Sequence, residues 1–236
     1  MKFDLKPKYL NLLILGASAA GFALRKVLYT FGFDGRNLLV ENHPAARILW
    51  GLTAVVMAVL IFSVLRAKAE LTVSPTAFGA VGAFAAAAGF GFTAMQEFGN
   101  FFAPMDILVW VLGLVSAICF AGIGICRLRR AEPYFLLHAL PCVYIALRTV
   151  SQYRMLSADP QLMDYCFYLC ACVALMLATY HHAALDAGLG KPHLLHACSL
   201  AGIYLSCVAL SGTEDPFLLA GLALWAVCNL PREARL

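Results

Sequence analysis

Charged residues are scarce in this sequence of 236 residues. Only 13% of them are Asp, Glu, Lys or Arg, and 62% are hydrophobic, whereas a soluble domain carries roughly 25% charged residues. A chain with so little polar surface cannot cover a globule in water, and no loop is long enough to fold as a separate soluble domain. Because the apolar segments have the length of membrane-spanning helices, the sequence predicts an all-α integral membrane protein.

The sequence also lacks the motifs that commit a chain to a particular chemistry. It contains no GxGxxG, P-loop, GxSxG, HExxH or CxxC pattern, which weighs against nucleotide-driven transport by this chain alone. No cofactor is expected. The nine cysteines lie in apolar segments and are odd in number, so they are not a disulfide framework. The net charge of +4 sits in short loops, where membrane topology explains it better than a nucleic-acid partner.

What the sequence does contain is a series of apolar segments separated by loops with proline. A membrane-spanning helix needs about 20 apolar residues, and a proline in the first turn of a helix forfeits no hydrogen bond. We predict eight transmembrane helices, with seven spans as the alternative because the last segment is short. The predicted spans are roughly 9–28, 45–66, 75–96, 105–126, 133–151, 162–182, 193–211 and 216–230.

Lysines and arginines are distributed unequally between the two faces of this topology. With a cytoplasmic N-terminus, 11 of the 17 basic residues fall on the inner face. Basic residues concentrate in cytoplasmic loops, so we expect both termini in the cytoplasm, in a plasma membrane or a bacterial-type inner membrane. The expected partners are the lipid bilayer and either another membrane protein or a second copy of the chain.

Several short patterns recur along the chain at a nearly constant offset. Ala23-Leu24-Arg25 recurs as Ala146-Leu147-Arg148, and Pro44 recurs as Pro160. Self-similarity of this kind is typical of an internal repeat. We therefore predict two tandem four-helix halves, residues 1–130 and 131–236. An even number of spans per half gives both halves the same orientation, a plan that occurs among transporters.

Four charged residues lie near the outer ends of equivalent predicted spans: Arg25, Arg148, Glu97 and Glu214. One interpretation is a pair of Arg–Glu gates or an anion site where the arginines converge. The favoured interpretation is that both arginines extend to lipid headgroups at the interface. His138 lies inside the fifth span, where a histidine is a binding-site candidate or a partner in a hydrogen bond between helices.

A second group of polar residues lies at the inner ends of the sixth and seventh predicted spans. His182 and Asp186 share one helix face, and His193 and His196 share another. Zinc accepts nitrogen and oxygen ligands, so these four residues are a candidate metal site. An ordinary polar inner interface is the favoured alternative.

Three functions remain open on this basis. An accessory or scaffold membrane subunit is preferred because ionisable residues are scarce within the spans, and an enzyme is not expected. A small-solute or ion transporter with its pathway between two parallel repeats is the alternative, since it would use the duplication and the paired arginines. A metal-dependent hydrolase within the membrane is the second alternative, and it rests on the inner histidines alone.

Overall fold

A computed structural model describes residues 7–32, 43–66, 71–73, 76–99, 104–156, 162–212 and 215–233. Within these ranges the chain forms eight α-helices and one ribbon of two short strands. The elements in chain order are α1 (Pro7–Phe31), α2 (Pro44–Arg66), β1 (Leu71–Thr72), α3 (Ala77–Glu97), α4 (Pro104–Leu128), α5 (Leu136–Leu156), α6 (Leu162–Asp186), α7 (Pro192–Ala209), α8 (Pro216–Cys228) and β2 (Arg232–Glu233).

Six of the helices are long and apolar enough to cross a membrane, namely α1, α2, α3, α4, α6 and α7. This composition fits an integral membrane protein. Eight spans are not confirmed, because α5 and α8 fall outside that group. The 13 residues of α8 reach only about 20 Å of a hydrocarbon core that is about 30 Å thick. Helix α5 carries Arg148 and Arg154, which lower its apolarity.

The outer surface of the bundle is rich in large apolar side chains. Leu65 is 78% exposed, Ile118 is 72% exposed and Leu12 is 70% exposed. A soluble monomer rarely presents such side chains over a wide area. Their exposure is what a lipid-facing surface requires.

Helices α3 to α8 pack as a closed ring in which each helix contacts the next and α8 returns to α3. Helix α8 also contacts α6, so the ring is filled rather than hollow. Helices α1 and α2 pack together outside the ring and dock against α7. The docking includes two hydrogen bonds: one joins the hydroxyls of Thr53 and Tyr204 at 2.8 Å, and in the other Nε2 of His196 donates to Oδ1 of Asn11 at 2.7 Å. Such bonds between helices help membrane bundles to associate.

The ribbon identifies one end of the bundle. Leu71 pairs with Glu233 and Thr72 with Arg232, so the α2–α3 connection and the segment after α8 lie side by side. The six helices between the two strands therefore begin and finish at the same end, which we call the ribbon end. The C-terminal ends of α3 and α5 and the beginning of α8 lie at the opposite end.

The backbones of α3 and α8 approach each other closely. A Cβ added at Gly89 would lie 2.5 Å from the Phe217 carbonyl oxygen, and one at Gly221 would lie 2.7 Å from that of Ala85. Small residues allow two helix backbones to approach in this way. The glycines and alanines of α3 therefore form a packing surface for α8.

The two-repeat layout is not confirmed by the packing. In a tandem duplication α7 would be the counterpart of α3, but the two helices have different neighbours. Helix α3 packs mainly on α4 and α8, whereas α7 packs on α6, α1, α8 and α2. The boundary at residue 130 does fall between α4 and α5, and the division into residues 1–130 and 131–236 stays a prediction.

Candidate functional site

Arg148 is the centre of an ion-pair network at the opposite end, which we call the Arg148 cluster (Glu97, Arg148, Tyr168 and Asp215). The guanidinium donates from Nη1 to Oε1 of Glu97 on α3 and from Nη2 to Oδ2 of Asp215, 2.7 Å away, at the start of α8. Tyr168 of α6 donates its hydroxyl to the same Asp215 oxygen at 2.9 Å. Four helices are thus joined at one point.

Asp215 occupies the N-cap position of α8, yet its side chain makes no cap hydrogen bond. An aspartate at this position usually accepts from the exposed backbone N–H groups of its own helix. Here the carboxylate accepts from Arg148 and Tyr168 instead. The negative charge still lies at the positive end of the α8 dipole, which is favourable.

Glu97 is the last residue of α3, where its negative charge lies at the negative end of the helix dipole. Arg148 offsets this unfavourable position. The Glu97 side chain is 31% exposed and that of Asp215 is 12% exposed, whereas that of Arg148 is only 5% exposed. The carboxylates therefore reach toward the surface and the cation lies beneath them.

The predicted pairing of Arg25 with Glu97 and of Arg148 with Glu214 differs from what the described residues show. Glu97 pairs with Arg148, and the acidic residue of α8 in the network is Asp215; Glu214 lies outside the described residues. Arg25 donates to the Tyr29 hydroxyl at 3.2 Å and lies over the Phe167 ring at 5.1 Å. Both arginines are 4% exposed, so neither extends to headgroups as the favoured interpretation expected.

A second polar group lies at the ribbon end, inside the ring, and we call it the His138 cluster (Arg127, His138, His182, Asp186, Trp225 and Asn229). Nδ1 of His138 on α5 is 2.6 Å from Oδ2 of Asp186 at the end of α6. The ring of His138 stacks on that of His182 with centroids 5.3 Å apart, and His182 contacts Trp225 at 4.6 Å. His138 and His182 are 0% and 1% exposed.

Arg127 and Asn229 complete the His138 cluster beside the first turn of α3. Asn229, which caps α8, donates from Nδ2 to the carbonyl oxygen of Gly79 at 3.3 Å. Gly79 leaves room for both residues, since a Cβ there would lie 2.6 Å from Asn229 Oδ1 and 3.2 Å from Arg127 Cδ. Arg127 is 3% exposed and interacts electrostatically with Asp186, His138 and His182.

The structure does not gather the four predicted metal ligands into one site. His182 and Asp186 face His138, whereas His196 of α7 bonds to Asn11 of α1. Among the described residues, no group of three or more His, Cys, Asp or Glu side chains is placed to hold a metal ion. His182 and Asp186 contact the preceding helix α5 through His138.

Large aromatic side chains separate the two clusters. Phe90, Phe120 and Tyr144 are each 0% exposed, and the Phe90 ring contacts those of Phe120 and Tyr144 at centroid distances of 5.2 and 5.1 Å. Arg148 follows His138 by ten positions in α5, which places the clusters about 15 Å apart along the helix. The ring interior therefore consists of two polar ends and an apolar middle layer.

Sequence reasoning missed Arg127, Trp225, Asn229 and Asp215 as members of these clusters. Arg127 continues the buried face of α4 formed by Ser116, Phe120 and Ile123. That helical spacing is the signal that identifies it. Asp215 precedes the helix-starting Pro216, and its interaction with α5 has no signature in the sequence.

The chain matches no protein-family model, no curated protein sequence and no solved structure.

Proposed function

We propose that this protein is a carrier for a small polar solute, which binds at the His138 cluster, while the Arg148 cluster is a closed gate. The observation that carries the proposal is the arrangement of two ionisable clusters inside one helical ring, at its opposite ends, with an aromatic layer between them. Ionisable residues are costly within a membrane and mark solute or ion pathways when they occur there.

The two clusters differ in a way that suggests their separate roles. Both terminal nitrogens of the Arg148 guanidinium reach a carboxylate, so this end of the ring is held closed by ion pairs that can be broken reversibly. At the His138 cluster seven buried polar atoms have no hydrogen-bond partner among the described residues, whereas at the Arg148 cluster this holds for Nε of Arg148 alone. A binding site must keep such groups free for its ligand, whereas a gate must satisfy most of its own.

This proposal places the pathway inside the ring α3–α8, not between two repeats. Carriers commonly expose a binding site to one side of the membrane while the other side is closed. The aromatic layer of Phe90, Phe120 and Tyr144 would then have to rearrange when access changes sides, since it fills the space between the clusters.

The test is solute uptake by purified protein in liposomes. We expect accumulation of at least one member of a panel of labelled phosphate, acetate, glutamate, glucose and rubidium above that in empty liposomes. His138→Gln should lower the initial rate at least about tenfold, the effect of losing one hydrogen bond that involves a charged group. The matched control is His193→Gln, a half-buried histidine outside the cluster, which should keep the wild-type rate.

An accessory or scaffold subunit is the second candidate, and the packed aromatic layer favours it. Buried ion pairs can also serve only to fix how helices meet. If correctly folded, monodisperse protein accumulates none of the five solutes, or if His138→Gln and His193→Gln transport equally well, the carrier proposal is wrong and the scaffold is supported.

A further inference from the structure

The His138 cluster contains an unusual concentration of buried polar atoms without hydrogen-bond partners. Among the described residues these atoms are Arg127 Nε, His138 Nε2, His182 Nε2, Trp225 Nε1 and Asn229 Oδ1, together with His138 Nδ1 and Asp186 Oδ2, which lie 2.6 Å from each other as a charge contact. The rings of His138, His182 and Trp225 touch one another, and Arg127 and Asn229 meet beside Gly79. Besides the contact between His138 and Asp186, five neighbouring residues on four helices therefore each have a buried polar atom without a hydrogen-bond partner.

Burying polar atoms without hydrogen-bond partners is energetically costly. A buried donor or acceptor without a partner costs about 1–3 kcal/mol, and more when it is charged. Native proteins satisfy the great majority of their buried polar atoms, so a group of unsatisfied ones indicates a bound species that completes them. The helices could have avoided the cost with apolar residues of the same size.

Arg127 determines the charge of that species. The guanidinium is buried, and no hydrogen bond or ion pair joins it to the other described residues, although Asp186 lies within electrostatic range. The Asp186 carboxylate is already engaged by Nδ1 of His138 at 2.6 Å. A buried arginine normally pairs with an anion, so the missing partner is negatively charged.

The remaining atoms determine its hydrogen-bonding character. Trp225 Nε1 can only donate, and Asn229 Oδ1 can only accept. Nδ1 of His138 lies 2.6 Å from the Asp186 carboxylate, which favours the proton on Nδ1 and makes Nε2 of a neutral imidazole an acceptor. The ligand must therefore offer oxygens to Arg127 and Trp225 and also an O–H group to His138 or Asn229.

From this geometry we infer that the His138 cluster binds a phosphate group that carries an O–H, either inorganic phosphate or a phosphomonoester. At neutral pH inorganic phosphate has both charged oxygens and a hydroxyl, and so does the monoanion of a phosphomonoester, whose second pKa is about 6, whereas sulfate and carboxylates have acceptors alone. Arginine recognises phosphate by parallel hydrogen bonds. This inference rests on the proposed function, because it names the class of solute for the same site.

The experiment measures binding of labelled inorganic phosphate to the full-length protein in detergent by equilibrium dialysis. We expect saturable binding to one site, with sulfate competing at least about tenfold less well. Arg127→Gln should weaken phosphate binding about tenfold or more, because a charged donor is lost. Arg129→Gln removes the same charge from an exposed position two residues away and should bind as the wild type does.

Trp225→Phe keeps the indole's place in the core but removes its N–H, so it tests the site if Arg127→Gln does not fold; phosphate affinity should fall about threefold to tenfold. Gel filtration and circular dichroism establish that each variant is folded. The inference is overturned if the wild-type protein binds no phosphate, if sulfate binds equally well, or if every folded variant keeps the wild-type affinity.

Nanodiscs distinguish a soluble phosphate from a lipid headgroup. Phosphatidic acid, whose headgroup is a phosphomonoester, should displace labelled phosphate from the wild-type protein if the natural ligand is lipid-borne, and phosphatidylcholine should not. Without displacement the ligand is soluble. Binding is measured separately from transport, so the two proposals can fail independently. Phosphate binding without uptake of any solute contradicts the carrier proposal alone. Uptake of another solute without phosphate binding contradicts the phosphate inference alone.

Discussion

Arg148 forms ion pairs with two carboxylates from two other helices, and these ion pairs determine the effect of replacing it. Its side chain is 5% exposed and contacts Glu97 and Asp215. Removing one partner of a buried ion pair costs about 3–5 kcal/mol because the remaining charge is left without compensation. We expect Arg148→Met to lower the free energy of unfolding by about that amount, near the lower limit since Glu97 is partly exposed, in a denaturant titration in detergent.

The control for Arg148 lies at the same end of the bundle. Arg47, in the first turn of α2, is exposed, and Arg47→Met should change the unfolding free energy by less than about 0.5 kcal/mol. Adding Glu97→Gln and Asp215→Asn to Arg148→Met should recover much of the lost stability, because no buried charge then remains unpaired. Equal losses for Arg47→Met and Arg148→Met would show that the network contributes no stability.

At the scale of elements, the close approach of α3 and α8 makes one glycine far more sensitive than its neighbour. A methyl group at Gly89 would meet the Phe217 carbonyl oxygen at 2.5 Å, a backbone atom that cannot rotate away. We expect Gly89→Ala to lower the unfolding free energy by about 1–3 kcal/mol, the usual cost of overpacking. Thermal unfolding in detergent measures the difference.

Gly91 provides the matched control on the same helix. A Cβ there would have no atom within 4 Å, and alanine is a better helix former than glycine by about 1 kcal/mol. Gly91→Ala should therefore be neutral or stabilising. If Gly89→Ala is equally well tolerated, α3 and α8 do not pack as closely as the structure places them.

At the scale of the whole molecule, the ribbon leads to a prediction about topology. Because β1 and β2 pair, the α2–α3 connection and the C-terminus should lie on the same side of the membrane, and the basic residues place that side in the cytoplasm. A reporter fused at the C-terminus or inserted after Arg66 should report the cytoplasm, and one inserted after Gly99 should report the other side.

The opposite result at either the C-terminus or Arg66 would contradict the ribbon, since two paired strands cannot be separated by a bilayer. A cytoplasmic reporter after Gly99 would instead mean that α3 does not cross. That outcome would also remove the separation of the Arg148 cluster from the His138 cluster across the membrane, on which the carrier depends.

Much of the fold was predictable because its causes are local. The proline-bounded apolar segments correspond to eight helices, since apolar length and helix-starting prolines act within a single segment. The extents of α5 and α8 were harder to predict. The sequence does not show that neighbouring helices shield the charged side chains of α5, nor that they allow α8 to be shorter than a full span. The proposed duplication rested on residues at helix ends, which recur for reasons of topology as well as ancestry.

The sequence predicted some residues of the candidate site but not which of them contact each other. Arg148, Glu97, His138, His182 and Asp186 stand out because ionisable residues are rare in apolar helices. Their partners do not stand out, since Arg127 resembles a loop residue that marks topology and Asp215 resembles an N-cap. Without knowledge of which helices meet, the favoured interpretation left both arginines at the lipid interface, and the alternative Arg–Glu gates assumed two equivalent halves.

By itself, the sequence determined that this chain is a helical membrane protein with few internal charges, because composition and segment length depend on no distant contact. Only the tertiary structure decided that Arg148 meets Glu97 and Asp215, which lie 51 and 67 residues away, and that His138 meets Asp186. The physical reason is that helices in lipid associate through close packing and a few polar contacts, so many pairings satisfy the same apolar pattern. The choice among them was made by the shapes of facing helices, such as the glycines that bring α3 against α8.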